Sequence, residues 1–221
     1  MTPKFIQISC VEGNKIDLRQ ANAILKHKPD IIIQEAPCNF GKPDSIFNKY
    51  SPENKPLKKL EEICKSLRKT AKKYPWHMSD VYVYENIQKL WQSGHDVKNY
   101  NVDAPSELLK QTLIHKWNQI DGPHRRGTHL IWWVYIYLRE VIMTKYVLEI
   151  LKKNENNKKI TVLVLMQKFH WKNVQFQLSH TSKDDIWKYY FGKFKNLKPK
   201  DIEELIKKEN SVLYKYWNKI K

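Results

Sequence analysis

Glycine, cysteine and arginine are scarce in this 221-residue chain, and each scarcity removes a class of protein. Six glycines stand against 8 Trp, 12 Tyr and 7 Phe, with no repeat or low-complexity tract. That composition excludes a flexible linker, a fibrous chain and a repeat array. The three cysteines, Cys10, Cys38 and Cys64, are odd in number and lack CxxC spacing. They exclude a disulfide framework and a cysteine-built zinc site, and read as small core residues of a reducing compartment. No apolar run reaches the roughly 18 residues of a membrane span, and Met1-Thr-Pro-Lys-Phe-Ile is no secretory leader. The chain therefore reads as a soluble cytoplasmic protein. Its length and 41% hydrophobic content suffice for a real core.

Acidic charge is also in short supply, 23 Asp and Glu against 40 Lys and Arg, for a formal net charge of +17. Such a field attracts polyanions from a distance. Only Arg19, Arg68, Arg125, Arg126 and Arg139 carry the guanidinium fork that reads bases and clamps phosphates. A polyanionic partner, nucleic acid or ribonucleoprotein, would thus be held by nonspecific contact. The competing account is coding bias, since Lys, Asn and Ile are abundant together.

Residues 4–11 form a short apolar run before Glu12-Gly-Asn14, which predicts a buried strand and a turn. Asp17 caps a helix with Leu18, Ala21, Ile24 and Leu25 at helical spacing, and Lys26–Pro29 supply its basic end and stop. Residues 30–37, with Ile31–Ile33 at their centre, predict a second buried strand. Strand, helix and strand in so short a span make a parallel crossover. Residues 37–56 are a Pro-, Asn- and Ser-rich excursion at the carboxyl end of that strand.

Residues 55–73 predict a helix with Leu57, Leu60, Cys64, Leu67 and Ala71 inward and eight basic against two acidic residues overall. A further helix starts at Ser79 and ends at Gly94, and residues 97–103 form a weaker third strand. Ala104-Pro-Ser106 opens another helix, and the Asp121-Gly-Pro123 turn leads into an apolar central helix, 128–151, interrupted at Arg139, Glu140 and Lys145. The fourth strand is 160–166, and the alternation Val174-Gln-Phe-Gln-Leu178 predicts a fifth. Helices from Ser182 and from Pro199 close the chain.

The fold class expected is α/β: a largely parallel four- or five-stranded sheet with about seven helices on both faces. Residues 1–221 form one domain, with 182–221 a C-terminal helical extension packed on it.

Ligands of parallel sheets bind at the carboxyl ends of strands. The polar residues there are Glu12, Gln34, Glu35, Asp103, Gln167, Lys168 and His170. Two carboxylates and an imidazole suit a divalent metal or a general acid–base pair. Glu35 stands out because it follows three isoleucines, where an unpaired charge is costly to bury. Elsewhere, His124-Arg-Arg-Gly-Thr-His129 reads as the entry of the central helix, and Trp132, Trp133, Tyr135 and Tyr137 as core rather than a stacking platform.

The order Phe5-Ile-Gln-Ile-Ser-Cys-Val-Glu12, Lys28-Pro-Asp-Ile-Ile-Ile-Gln-Glu35, Arg139-Glu-Val-Ile-Met143 and Ile160-Thr-Val-Leu-Val-Leu-Met-Gln-Lys-Phe-His170 resembles the TraB/PrgY family, related to the Tiki, GumN and ChaN-like proteins. The similarity is one of pattern and order over residues 4–175. It places Glu35 on the family's acidic position, Arg139 and Met143 on its Arg-x-x-x-Met helix, and His170 on its second histidine. Ser9-Cys-Val-Glu12 stands where the family has its first Gly-x-x-His, so Glu12 takes the place of an imidazole ligand. Gln167 stands for the glycine of the second. The resemblance implies a metal-dependent, peptidase-like hydrolase or a relative that has lost catalysis. Glu12, Glu35 and His170 would hold Mn, Co or Zn or serve as acid–base groups, and Arg139 would neutralise an anionic intermediate or orient a carboxylate. The alternative is a nonenzymatic basic protein that binds nucleic acid, a ribonucleoprotein or another acidic partner through Lys58, Lys59, Lys65, Lys69 and Lys72.

Overall fold

The computed structural model describes residues 3–9, 17–35, 56–73, 78–109, 111, 125–156, 159–194 and 196–220, with the backbone alone at 56–60, 63, 106 and 125–129. Glu12, Cys10, Cys38, most of the 37–56 excursion and the 121–124 turn lie outside the described residues. In chain order the elements are β1 (Lys4–Ile8), α1 (Arg19–His27), β2 (Ile31–Gln34), α2 (Pro56–Ala71), α3 (Met78–Gln92), β3 (Lys98–Asn101), α4 (Ser106–Leu109), α5 (Arg125–Lys153), β4 (Thr161–Leu165), α6 (Lys168–Ser179), α7 (Lys183–Phe191), α8 (Pro199–Glu209) and α9 (Ser211–Ile220). The chain divides into two compact units. The first comprises Met1–Ala36, Pro43–Val102 and Lys152–Trp171, and the second Pro37–Lys42, Asp103–Leu151 and Lys172–Lys221.

The first unit is built on one sheet of order β1-β4-β2-β3, every pair parallel. Ile31, Ile32 and Ile33 are all buried, as are Val162, Leu163 and Val164. Burial of consecutive strand residues means that both faces are covered, which is why these strands read as unbroken apolar runs. On one face α1 and α2 each pack against α3. Asn86 of α3 donates its Nδ2 proton to the Ala21 carbonyl (2.9 Å), and Gln34 Nε2 donates to the Tyr84 hydroxyl (2.6 Å).

Local signals explain most boundaries in this unit. Asp17 Oδ1 accepts the Arg19 backbone N–H (3.0 Å) at the start of α1. At its end Lys28 adopts the left-handed conformation (φ 43°) and returns its N–H to the Ile24 carbonyl (3.0 Å). Ala21 and Ile24 face inward as expected, whereas Leu18 and Leu25 are 45% and 38% exposed. Ser79, expected to cap α3, lies inside its first turn, and its Oγ accepts the Asp17 N–H (2.7 Å) instead. Gly94 ends that segment with φ +82°, which a glycine adopts without strain. Cys64, Leu67 and Ala71 are buried on α2; burial, reinforced by the charge of Glu85, pushes the Cys64 thiol up to about 11. A thiol so held is a core residue and not a nucleophile.

One feature of the sheet is uncompensated. Among the described residues, both polar side-chain atoms of Asn99 on β3, and Oε1 of Gln34, are buried without a hydrogen-bond partner. An unsatisfied buried amide costs about 1–3 kcal/mol, and removing the polar group altogether recovers much of it. Asn99→Leu is therefore expected to raise the melting temperature by a few degrees, measured by circular dichroism. A fall of similar size would mean that Asn99 is satisfied in solution.

In the second unit α5 supplies the centre, with Val134, Tyr135, Ile136 and Leu138 all buried around its circumference. They join a core with Tyr190 and Phe191 of α7, Ile202 and Ile206 of α8, and Leu213 and Trp217 of α9. Ser182 caps α7 as expected, its Oγ accepting the Asp185 N–H (3.4 Å). The helix expected from Pro199 onward breaks at Asn210 into α8 and α9. Asn210 takes an extended conformation (φ −155°), its Oδ1 caps the Leu213 N–H (3.0 Å), and its Nδ2 donates to Gln111 Oε1 (3.0 Å).

Residues 174–178, expected as a fifth strand, are helical within α6. The alternation misled because inward positions were assumed to be apolar. Asn173, Val174 and Gln177 are buried at helical spacing, and the two amides face inward to bond polar partners. This helix and the break at Asn210 bring the total to nine helices among the described residues, against about seven expected. No described helix is long and apolar enough to cross a membrane.

Candidate functional site

The first unit brings two of the expected site residues together at the carboxyl ends of neighbouring strands. Gln34 of β2 is in register with Leu165 of β4, and the Glu35 N–H continues the ladder to the Leu165 carbonyl (2.9 Å). The chain leaving β4 passes through Gln167 directly into α6, so the start of that helix lies beside Glu35. Glu35 Oε2 accepts the Gln167 backbone N–H (3.0 Å), and Oε1 stands 3.7 Å from His170 Nε2. The positive end of the α6 dipole favours a carboxylate there.

Both side chains are withdrawn from solvent, His170 at 4% and Glu35 at 11% exposure. His170 is held by its place in the first turn of α6, which is anchored when Trp171 packs its ring 5.4 Å from that of Phe5 on β1. Phe169, 42% exposed, stacks edge-on to the imidazole at 5.4 Å. A buried strand therefore delivers an acid, the next strand delivers a helix start, and that helix start delivers an imidazole.

At 3.7 Å the carboxylate and imidazole make no direct hydrogen bond. The gap suits a shared proton carrier or a shared cation: two donors on one tetrahedral ion, each about 2.0–2.2 Å from it, stand about 3.4 Å apart. An oxygen and a nitrogen donor fit the borderline ions Zn and Co and the harder Mn. Among the described residues no group of three or more His, Cys, Asp and Glu could hold a metal ion. Glu12, expected as the third ligand, lies outside them.

Arg139 has a different engagement, within the second unit. Its Nε donates to Asp103 Oδ1 (2.7 Å) and its Nη2 to Oδ2 (2.8 Å), a bidentate pair that is 14% exposed on the arginine and 3% on the aspartate. Asp103 Oδ1 also accepts the Ala104 N–H (2.7 Å). The Arg139 fork thus orients a carboxylate that follows β3, and Met143, one turn on, is fully buried core.

Beside Arg139 lies a cluster that the sequence reading did not assemble. Glu140 is 0% exposed and accepts Asn173 Nδ2 at both oxygens (2.8 and 2.9 Å) and the Tyr190 hydroxyl at Oε2 (2.6 Å). Gln177 Nε2 donates to the Tyr190 oxygen (2.7 Å), and the Tyr189 hydroxyl donates to Asn173 Oδ1 (2.6 Å). Burial first, then the negative charge of Glu140, push the Tyr190 hydroxyl far above the ordinary tyrosine range, so it stays a donor. The available signal was a charge inside the most apolar helix, which demands partners.

Compared with models of protein families, with curated proteins and with solved structures, the chain matches none of them.

Proposed function

We propose that the chain is a metal-dependent hydrolase of peptide-like substrates, as its resemblance to the TraB/PrgY and Tiki-like pattern implies, with its chemical centre at Glu35 and His170. The observation that carries this reading is the 3.7 Å approach of Glu35 Oε1 to His170 Nε2 at the carboxyl ends of β2 and β4. Carboxyl ends of parallel strands are where this architecture binds ligands, and a carboxylate and an imidazole withdrawn from solvent stand there together.

Glu35 and His170 would hold the metal, and Glu12, expected from the sequence as the third ligand, lies outside the described residues. Bound Zn, Mn or Co supplies Lewis acidity and a nucleophilic water near neutral pH. The chain's own contribution is positional: the Gln167 N–H fixes the Glu35 carboxylate, and the burial of His170 and Trp171 in the first turn of α6 fixes the imidazole. Exposed Phe169 offers an apolar contact beside them.

The test is cleavage of a mixed peptide pool by the chelated protein and by protein resupplied with Mn, Co or Zn, with products identified by mass spectrometry. Metal-restored cleavage, absent from Glu35→Gln, supports the reading. Cleavage that survives both chelation and substitution contradicts it.

A second reading has its own observation. Lys65 and Lys69 of α2 and Lys72 just beyond it recur at helical spacing and are exposed, whereas Cys64, Leu67 and Ala71 on the opposite side are buried. Such a face suits a nonspecific polyanion, nucleic acid or ribonucleoprotein. If it binds one, the triple variant with glutamate at positions 65, 69 and 72 loses affinity by tenfold or more, on the order of a few phosphate contacts, and wild-type binding falls steeply with salt. Binding insensitive to salt would overturn this reading, and Glu35→Gln should leave binding unchanged.

A further inference from the structure

The second unit contains a cavity of about 390 Å³ whose walls come from four helices. Tyr137 of α5, Ile186 and Trp187 of α7, and Trp217 and Ile220 of α9 line it, and Pro199 at the start of α8 closes one side. This is the size and composition of a small-molecule pocket: concave, largely apolar, with few polar groups. Three flat rings in so small a space favour a flat occupant, because aromatic faces gain most from offset stacking and edge contacts.

Among the described residues the charged groups on the wall are Lys183 and Asp184, both exposed on the first turn of α7. They are not equivalent. The positive end of the α7 dipole offsets the charge of Asp184 and of its neighbour Asp185, and does nothing to offset an ammonium. In the first turn of α8 the carboxylate of Asp201 accepts the Lys198 backbone N–H (2.8 Å). Lys200, next to Pro199, lies 3.8 Å from Glu204, and among the described residues Lys183 is the cation that lines the cavity. The net charge of +17 biases the whole surface in the same direction.

We propose that this cavity binds a small, flat, apolar molecule carrying one anionic group, an aryl carboxylate in its simplest form. The ring inserts between Trp187 and Trp217, and the anion meets Lys183 at the mouth. The site lies wholly in the second unit, is built from residues that the Glu35–His170 reading does not use, and does not depend on that reading.

Two probes of one ring system and opposite charge test it: indole-3-propionate and tryptamine, titrated into the full chain by calorimetry. Nitrogen-15 spectra follow the Trp187 and Trp217 indole N–H signals. Indole-3-propionate is expected to bind with a Kd of about 1 mM or tighter, the ordinary efficiency for so small a ligand, and to shift both signals. Tryptamine should bind about fivefold more weakly, as one exposed charge allows, and Lys183→Glu, at an exposed position, should erase or invert the difference. Trp187→Ala should remove binding of both. The proposal is overturned if neither probe saturates below about 10 mM, a range that leaves tenfold above the expected Kd. It is equally overturned if tryptamine binds the wild type more tightly, or if indole-3-propionate binds the two variants as it binds the wild type.

Discussion

Replacing Glu140 by alanine is expected to destabilise the chain by about 3–5 kcal/mol, because it strands several buried groups at once. Glu140 is fully buried, and its two oxygens accept both Asn173 bonds and the Tyr190 hydroxyl. Without it those donors lose their acceptor, the Gln177 donor remains tied to a misplaced hydroxyl, and a cavity opens beneath α5. For a chain of this length the shift in Tm is about 10 °C, read by calorimetry. Glu140→Gln keeps the shape but sets an amide donor against the Asn173 amide, so an intermediate loss of about 1–3 kcal/mol is expected. Tyr190→Phe should lose about 1–2 kcal/mol and couple to the Glu140 substitution in a double-mutant cycle. Additive losses would mean that the cluster does not act as a unit.

The second large effect belongs to the proposed chemical centre. Glu35→Gln keeps the size of the side chain and its acceptor for the Gln167 N–H, but removes the charge. His170→Ala removes the nitrogen and leaves the carboxylate. If the two groups act on one substrate, each substitution lowers turnover by about 10²–10⁴, the range of a general acid–base contribution, and the double substitution costs little more than either alone. His170 is buried, so its removal also opens space at the start of α6; Glu35→Gln is therefore the cleaner test of chemistry against stability. A Glu35→Gln protein that melts like the wild type yet has lost turnover is the expected result. Undiminished turnover would remove Glu35 from the mechanism.

How legible these features are in the sequence depends on how local their causes are. Strands β1, β2 and β4 announce themselves because a parallel sheet covered on both faces requires unbroken apolar runs, as in Ile31–Ile33. β3, reading Lys-Asn-Tyr-Asn, carries almost no such signal; as the last strand of the described sheet it pairs on one side only. Glu35 was legible because a charge after three buried isoleucines must find partners. Its approach to His170 was not, since it depends on β4 pairing beside β2 with partners 131 residues apart in the chain, as in Gln34 and Leu165. The α6 helix was misread for a related reason: Asn173 and Gln177 look solvent-facing until Glu140 and Tyr190 are seen to need them. Arg139 entered the candidate site through the Arg-x-x-x-Met pattern of the resemblance, but its partner Asp103 becomes visible only in three dimensions. Asn210, within an otherwise amphipathic stretch, hid a helix break that its capping bonds make plain.

The measurement that bears most directly on the central claim is metal stoichiometry and affinity. Chelated wild-type protein, Glu35→Gln and His170→Ala would be titrated with Zn²⁺, Co²⁺ and Mn²⁺ by calorimetry, with bound metal counted by elemental analysis. Ligation by Glu35 and His170 predicts one ion per chain for the wild type, with affinity reduced at least tenfold in each variant, the smallest loss expected when a ligand is removed. No binding by the wild type, or one ion held equally by all three proteins, would contradict it.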